Sequence, residues 1–117
     1  MTARQVRRGE IYWVDWNPAR GSEQAGIRPS LVIQNDTGNE SSRTTIVAGI
    51  TTASERPYPF MVKVSAQESG LPRDSSINLS ALMTVDKTRL GRSIGVLTPR
   101  KMLEVDDALK VSLGLLL

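Results

Sequence analysis

Residues 9–36, GEIYWVDWNPARGSEQAGIRPSLVIQND, contain the stretch that decides the fold. A β-patterned run, IYWV, ends in a turn at Asn17-Pro18, and a second β-patterned run, LVI, follows the loop GSEQAGIRP. Gly21 and Gly26 allow sharp turns in this loop, because glycine reaches backbone angles that other residues avoid. The stretch therefore predicts two strands joined by a polar loop.

The chemistry of this loop rests on one acid, one amide and one guanidinium, which belong to Glu23, Gln24 and Arg28. Arg28 precedes Pro29, so its backbone is driven to an extended conformation and its side chain takes a defined direction. A guanidinium held beside a carboxylate is suited to gripping a phosphate. The plainer alternative is that Arg28 only pins the loop through an ion pair with Glu23.

Length and composition predict one domain over residues 1–117, long enough to bury a core without cross-links. No apolar run approaches the roughly 18 residues that span a bilayer. The basic start, MTARQVRRGE, leads into no signal-type apolar region. We therefore expect a cytoplasmic protein.

The chain contains neither cysteine nor histidine, which restricts its possible chemistry. Thiolate catalysis, disulfides, sulfur-bound zinc and imidazole acid–base catalysis are all excluded. The carboxylates near the N-terminal half are scattered, so we expect no metal site and no cofactor. A nucleophilic serine would lack a conventional base, and no nucleotide-binding fingerprint is present.

The net charge is +3, and arginines outnumber lysines eleven to four. Arginine suits bidentate phosphate contacts and stacking on bases, although coding bias and solubility explain such enrichment equally well. RNA cleavage remains open to such a chain, because the substrate supplies its own nucleophile, the 2′-hydroxyl. The protein then needs only fixed donors that position the strand and stabilise charge on the phosphoryl oxygens.

The remaining sequence is rich in short β-patterned runs separated by turn residues. We predict a turn at 35–39, loops at 52–59 and 70–74, and one helical turn near 86–90. The predicted strands lie near 10–16, 30–35, 44–51, 60–65, 75–79, 82–85 and 93–97.

The C-terminus changes to a helical period. Thr98 is a suitable N-cap and Pro99 a suitable first residue, so a helix is predicted over about 99–114. Apolar residues at three-to-four spacing between Met102 and Leu116 form a wide face, which predicts packing on the sheet and contact with a second subunit. Many short strands plus this helix predict a mainly β fold with a C-terminal helix, in the form of a small twisted barrel.

The GSEQAGIRP loop and the strand that follows it closely resemble those of MazF/PemK (Kid) family toxins, which are ribonucleases of type II toxin–antitoxin modules. The resemblance continues at 45–52, at Tyr58-Pro59-Phe60, at Arg73-Asp74, from Thr84 to Leu90, and in the helix that opens at Thr98. It implies a small SH3-like (MazF/CcdB-type) barrel that forms a homodimer. It also implies metal-independent, sequence-specific cleavage of single-stranded RNA, giving 2′,3′-cyclic phosphate and 5′-hydroxyl ends. The implied partner is a MazE-like antitoxin whose flexible acidic tail lies in the RNA groove.

The same resemblance assigns catalysis to Arg28 and Thr51, with Thr52 a weaker candidate. For Thr51 the alternative is an ordinary β-branched strand residue.

RNA-binding or orienting roles are expected for Glu23, Gln24, Trp16, Thr52 and Ser80. Trp13 and Trp16 have opposite parity on the first strand, so at least one should lie in the core, and Trp16 is the better candidate for base stacking. Many relatives carry an acid and a glutamine where this chain has Ser80 and Ala81, which puts base preference in question.

Two alternatives to the toxin ribonuclease remain at this stage. A CcdB-type toxin shares the barrel but poisons DNA gyrase through its C-terminal helix. A barrel that binds RNA without cutting it would keep the fold and lose the activity.

Overall fold

The structure is a computed structural model, and it describes residues 5–23, 25–53 and 58–115. Within these ranges the chain forms one antiparallel sheet, three helices and a 3₁₀ turn. The strands are β1 (Glu10–Asp15), β2 (Ile27–Val32), β3 (Thr44–Thr52), β4 (Met61–Val64), β5 (Ser75–Asp86) and β6 (Leu90–Val96). The helices are α1 (Asp36–Ser41), α2 (Ala66–Ser69) and α3 (Pro99–Leu113), and the 3₁₀ turn covers Lys87–Arg89.

The six strands follow the order β4-β5-β3-β2-β1-β6, and every pairing is antiparallel. The predicted class, mainly β with a C-terminal helix, is confirmed. In the described part of the chain β4 and β6 are the sheet's edges, so this barrel-like sheet is not closed by hydrogen bonds.

Two apolar clusters fill the molecule. The larger one lies between the sheet and α3, where Met102, Val105 and Ala108 are buried against strand residues such as Ile50 and Ile77. The smaller cluster lies on the other face of the sheet. It contains the strand residues Tyr12, Val14, Val32, Val47, Val85 and Leu90, together with Val6, which precedes β1, and Trp16, which follows it. Because neighbouring strand residues point to opposite faces, each central strand contributes to both clusters.

The second strand begins three residues earlier than predicted and ends at Val32 rather than at residue 35. Ile27 and Arg28 pair with Asp15 and Val14 of β1. Pro29 is tolerated inside β2 because the pairing with β3 runs over Ser30–Val32 only, so its missing N–H removes no bond from that ladder. The strand is therefore prolonged into the loop that carries the predicted site.

The two strands predicted at 75–79 and 82–85 are one strand, β5. The pairing shifts register between Ala48 and Gly49 of β3, which leaves a bulge in β5 near residues 79–81. At this bulge the Asn78 side chain accepts hydrogen bonds from the N–H and the hydroxyl of Ser80 (3.0 and 2.6 Å). Asparagine and serine make the same local hydrogen bonds in turns, which is why the sequence predicted two strands separated by a turn.

The predicted turn at 35–39 is wrong, because α1 begins there. Asn35 caps the helix by accepting the Gly38 N–H. Asn39 is buried, and its carboxamide oxygen accepts hydrogen bonds from Gln34 and from the hydroxyl of Thr45. An asparagine that opens a turn and one that caps a helix make the same local bond, so the sequence alone did not separate them.

The other expected elements are present with small changes of boundary. β6 begins at Leu90, three residues before its predicted start, directly after the predicted helical turn. Helix α3 begins as predicted at Pro99, and the Thr98 hydroxyl accepts the Lys101 N–H. Residues 54–57 of the predicted loop and Leu116 of the predicted helical face lie outside the described residues. No helix in the described ranges has the length and apolarity needed to cross a bilayer.

Helix α2, which was not predicted, holds the following loop, 70–74, against β6. The N-terminus of α2 is stabilised by a capping box between Ser65 and Glu68. A Cβ atom on Gly95 would lie 2.3 Å from the carbonyl oxygen of Ser69, so only glycine permits this approach. The loop that follows α2 borders the site described below.

Gly95→Ala is expected to lower the free energy of unfolding by about 1–3 kcal/mol, since an added methyl must displace the backbone of α2. Ser93→Ala, at an exposed position of the same strand, should change it by less than about 0.5 kcal/mol. Urea unfolding followed by tryptophan fluorescence measures both. Equal stability of the two variants would show that α2 does not pack on β6 in this way.

Candidate active site

Strand pairing brings together Arg28 and Thr51, the two residues to which the resemblance assigns catalysis. Ser30 of β2 lies opposite Gly49 of β3. Continuing this register by two residues sets Arg28 level with Thr51, on the same face of the sheet. Both residues line one cleft of about 380 Å³.

The cleft is formed where four separate segments meet. The end of the first loop and the start of β2 supply one wall, and the end of β3 supplies Thr51 and Thr52. Trp13 of β1 and the loop 70–74, with Arg73, complete the lining. Among the described residues that line it, arginine is the only charged type.

A backbone contact sets the direction of the Arg28 side chain. Its Nε donates to the carbonyl oxygen of Ala25 at 2.7 Å. The side chain is half-buried, and Pro29 restricts the backbone beside it. Arg28 is thus a positioned cation at the mouth of the cleft.

Glu23 does not pair with Arg28. Its carboxylate accepts the Arg20 N–H at 3.1 Å, and its own N–H donates to the Arg20 carbonyl at 3.0 Å. The ion pairs within 4.0 Å among described residues join Arg8 to Asp106 and Lys101 to Glu68 and Glu104. The ion pair between Arg28 and Glu23 that the alternative role requires is therefore not formed. Gln24 lies outside the described residues.

A second pocket of about 400 Å³ borders the same loop. Its lining includes Trp16, Glu23 and Ser80, three of the residues expected to bind or orient RNA, together with Asn78 and Ala81. The structure thus divides the predicted residues between two neighbouring pockets, with Arg28, Thr51 and Thr52 in the first.

The two tryptophans lie on opposite faces, as their parity predicts. Trp16 is a core residue, only 7% exposed, and its indole N–H donates to the Ser30 hydroxyl at 2.9 Å. Trp13 pairs with Pro29 and lines the Arg28 cleft. Base stacking by Trp16 stays a prediction, but a ring this buried offers little surface, and Trp13 is better placed.

Sequence reasoning did not select Trp13 and Arg73 as site residues. The alternation of strand residues shows that Trp13 and Trp16 face opposite sides, but Trp16 rather than Trp13 was chosen as the residue for base stacking. For Arg73 the resemblance marked the pair Arg73-Asp74 without giving it a role, because its place in the cleft depends on the docking of loop 70–74 beside β3.

Four side chains outside the cleft have shifted pKa values. The pKa of Asp36 is lowered chiefly because its carboxylate accepts the Arg8 N–H, and that of Glu68 chiefly because it accepts the Ser65 N–H. The Thr88 hydroxyl lowers the pKa of Asp86, and the hydrogen bond to Glu104 raises that of Lys101. These groups serve caps and surface pairs.

The described residues contain no group of three or more acidic side chains that could hold a metal ion. A site for a divalent cation in this part of the chain would need such clustered oxygen ligands.

The model of PemK-like and MazF-like toxins of type II toxin–antitoxin systems matches residues 7–113. The chain belongs to this family. The endoribonuclease MazF of Staphylococcus epidermidis is 46% identical over 111 residues, which cover 94% of this chain and 92% of that protein.

Solved structures show the same fold. An endoribonuclease from a mycobacterial species, in complex with its cognate antitoxin, matches with a TM-score of 0.80 and 26% identity, covering 96% of this chain and 98% of that one. MazF of Deinococcus radiodurans matches with a TM-score of 0.77 at 23% identity, covering 96% and 99% of the two chains. The predicted membership of the MazF/PemK family is confirmed.

Proposed function

We propose that this chain is an endoribonuclease toxin that cuts single-stranded RNA at the Arg28–Thr51 cleft. The observation that carries the proposal is the meeting of Arg28, Thr51 and a second arginine in one cleft of a MazF/PemK-family chain. The activity is the one named for its relative in Staphylococcus epidermidis. A cytoplasmic site of action remains a prediction.

In the proposed reaction the substrate's 2′-hydroxyl oxygen bonds to the adjacent phosphorus as the bond to the 5′-oxygen breaks. The 2′-hydroxyl loses a proton and the leaving 5′-oxygen gains one, both by exchange with water. The products are a 2′,3′-cyclic phosphate and a 5′-hydroxyl.

The contribution of the protein is positioning and charge stabilisation. A guanidinium stays protonated and donates two parallel hydrogen bonds to phosphoryl oxygens, so Arg28 stabilises the pentavalent phosphoryl group. The Thr51 hydroxyl, level with Arg28, orients the same group. Glu23, Gln24, Thr52 and Ser80 are proposed to hold flanking nucleotides, and Trp13 offers a stacking surface that Trp16 does not.

The proposed reaction uses neither a metal ion nor a cofactor. Arginine needs no metal to place positive charge on the phosphate, and histidine and cysteine, the usual transition-metal ligands, are absent from the sequence. The gyrase-poisoning alternative would act through α3 and leave the arginine-lined cleft unused.

We further propose an antitoxin partner and a homodimer. The related mycobacterial endoribonuclease was solved with its cognate antitoxin, and an acidic antitoxin segment would match the cationic cleft. On α3 the inner residues are buried, whereas Leu103, Val111 and Leu113 remain exposed and supply apolar surface for a second subunit.

Arg28→Ala is expected to slow single-turnover RNA cleavage by on the order of 10²–10³, as for the loss of one preorganised oxyanion donor. Arg28→Lys should recover only part of the rate, because an ammonium keeps the charge but loses the two-pronged geometry. Binding should weaken far less than turnover, since other basic side chains still hold the strand.

Circular dichroism of both Arg28 variants provides the folding control. No loss of structure is expected, because the Arg28 side chain belongs to neither apolar cluster and the backbone pairing of β2 with β1 does not depend on it. A folded Arg28→Ala protein that cuts at the wild-type rate would remove this residue from the mechanism.

The dimer predicts that sedimentation at micromolar concentration gives twice the 12.8 kDa chain mass. Val111→Glu should shift the equilibrium towards monomer, because it places a charge on the exposed apolar face. Lys110→Glu is the matched charge control, because its position already carries a charge. A wild-type monomer with full activity would exclude the dimer.

A further inference from the structure

Arg73 is the second cation of the cleft, and nothing in its motif assigned it a role. It lies in loop 70–74 and lines the same cleft as Arg28 and Thr51. Its side chain is exposed. Within the described ranges, no hydrogen bond or ion pair engages its guanidinium.

The acid beside it in the sequence does not neutralise it. The Asp74 carboxylate accepts the Ala66 N–H at 2.9 Å and is thereby turned towards the start of α2. No other acidic side chain lines the cleft within the described residues. Asp74, the neighbouring acid in the sequence, is therefore not the counter-ion of Arg73.

The backbone that carries Arg73 is held from both sides. Leu71, two residues before it, is buried in the larger apolar cluster, and its N–H donates to the Ser69 hydroxyl. The Ser75 hydroxyl donates to the Arg73 carbonyl at 3.0 Å, and β5 begins at Ser75. Pro72 further limits the backbone freedom of the loop. A long flexible side chain thus starts from a fixed point at the cleft wall.

We infer that Arg73 binds a phosphate of the RNA next to the one that Arg28 holds, and so positions the strand for cleavage. The inference rests on the proposed ribonuclease function and deepens it. Arg28 acts on the reacting phosphate, whereas Arg73 holds a non-reacting one. Arg73 is accordingly a positioning residue, and its loss should raise the dissociation constant more than it lowers the rate at saturation.

The test uses a short RNA with deoxyribose 5′ of the cut, which binds without reacting. Arg73→Ala should raise its dissociation constant on the order of three- to tenfold near 0.1 M salt. The slope of log affinity against log salt should fall by about 0.7, the value for one contact with a single strand. Arg73→Lys should restore most of that slope, because an ammonium also binds phosphate as a point charge.

The phosphate itself is located by replacing each one in turn with an uncharged methylphosphonate. In the wild type, each replacement at a contacted phosphate weakens binding. In Arg73→Ala, one replacement beside the cut should cost nothing further, because its partner is already gone.

Arg43→Ala is the matched control. Arg43 is exposed and precedes β3 at the end remote from Thr51, about 26 Å away along an extended strand. It should leave affinity and the replacement pattern unchanged.

The outcomes separate the two claims. A wild-type protein that cuts no RNA overturns the proposed function. A wild type that cuts RNA, together with an Arg73→Ala variant of unchanged affinity, salt slope and replacement pattern, overturns the role of Arg73 alone. An Arg73→Ala variant that binds normally but turns over slowly also overturns it, since a positioning contact must appear in binding.

Discussion

The pairing of β2 with β3 is the constraint on which the site depends. Arg28 and Thr51 are far apart in the sequence, and only the register that sets Ser30 opposite Gly49 makes them level. A slip of one residue would turn Arg28 to the other face of the sheet, where the α3 cluster lies. The buried side chains of both strands, sorted between two apolar clusters, make that slip costly.

The second feature is that the acidic side chains near the cleft are engaged in hydrogen bonds of their own. Glu23 is used to close its own turn with Arg20, and Asp74 is used at the start of α2. Both acids are close in sequence to a cleft arginine, and neither carboxylate is bonded to it. Among the described residues, the lining of the cleft carries arginines and no acidic side chain, and this local charge matters more to a polyanion than the modest net charge of the whole chain.

The sequence predicted much of the fold because its signals there are local. The cap at Thr98, the proline after it and the apolar period of α3 were sufficient to place the helix, and alternation placed most strands. The sequence-based prediction was wrong at Asn35, where a helix begins, and at Ser80, where one strand continues through a bulge. In both places a side chain makes a hydrogen bond to nearby backbone that also occurs in turns. Arg28 and Thr51 were assigned through the family resemblance. Arg73 was missed because its position is set by non-local packing of α2 on β6.

The central claim is that the Arg28–Thr51 cleft cuts RNA by using the substrate's own 2′-hydroxyl. The most direct measurement is mass spectrometry of the ends produced from one oligonucleotide in EDTA, beside the same oligonucleotide with deoxyribose 5′ of the cut. The account predicts a 5′ fragment ending in a cyclic phosphate, a 3′ fragment beginning with a hydroxyl, and no cleavage of the substituted strand. Cleavage of the substituted strand, 5′-phosphate ends, or activity that appears only when magnesium or manganese is added would contradict it.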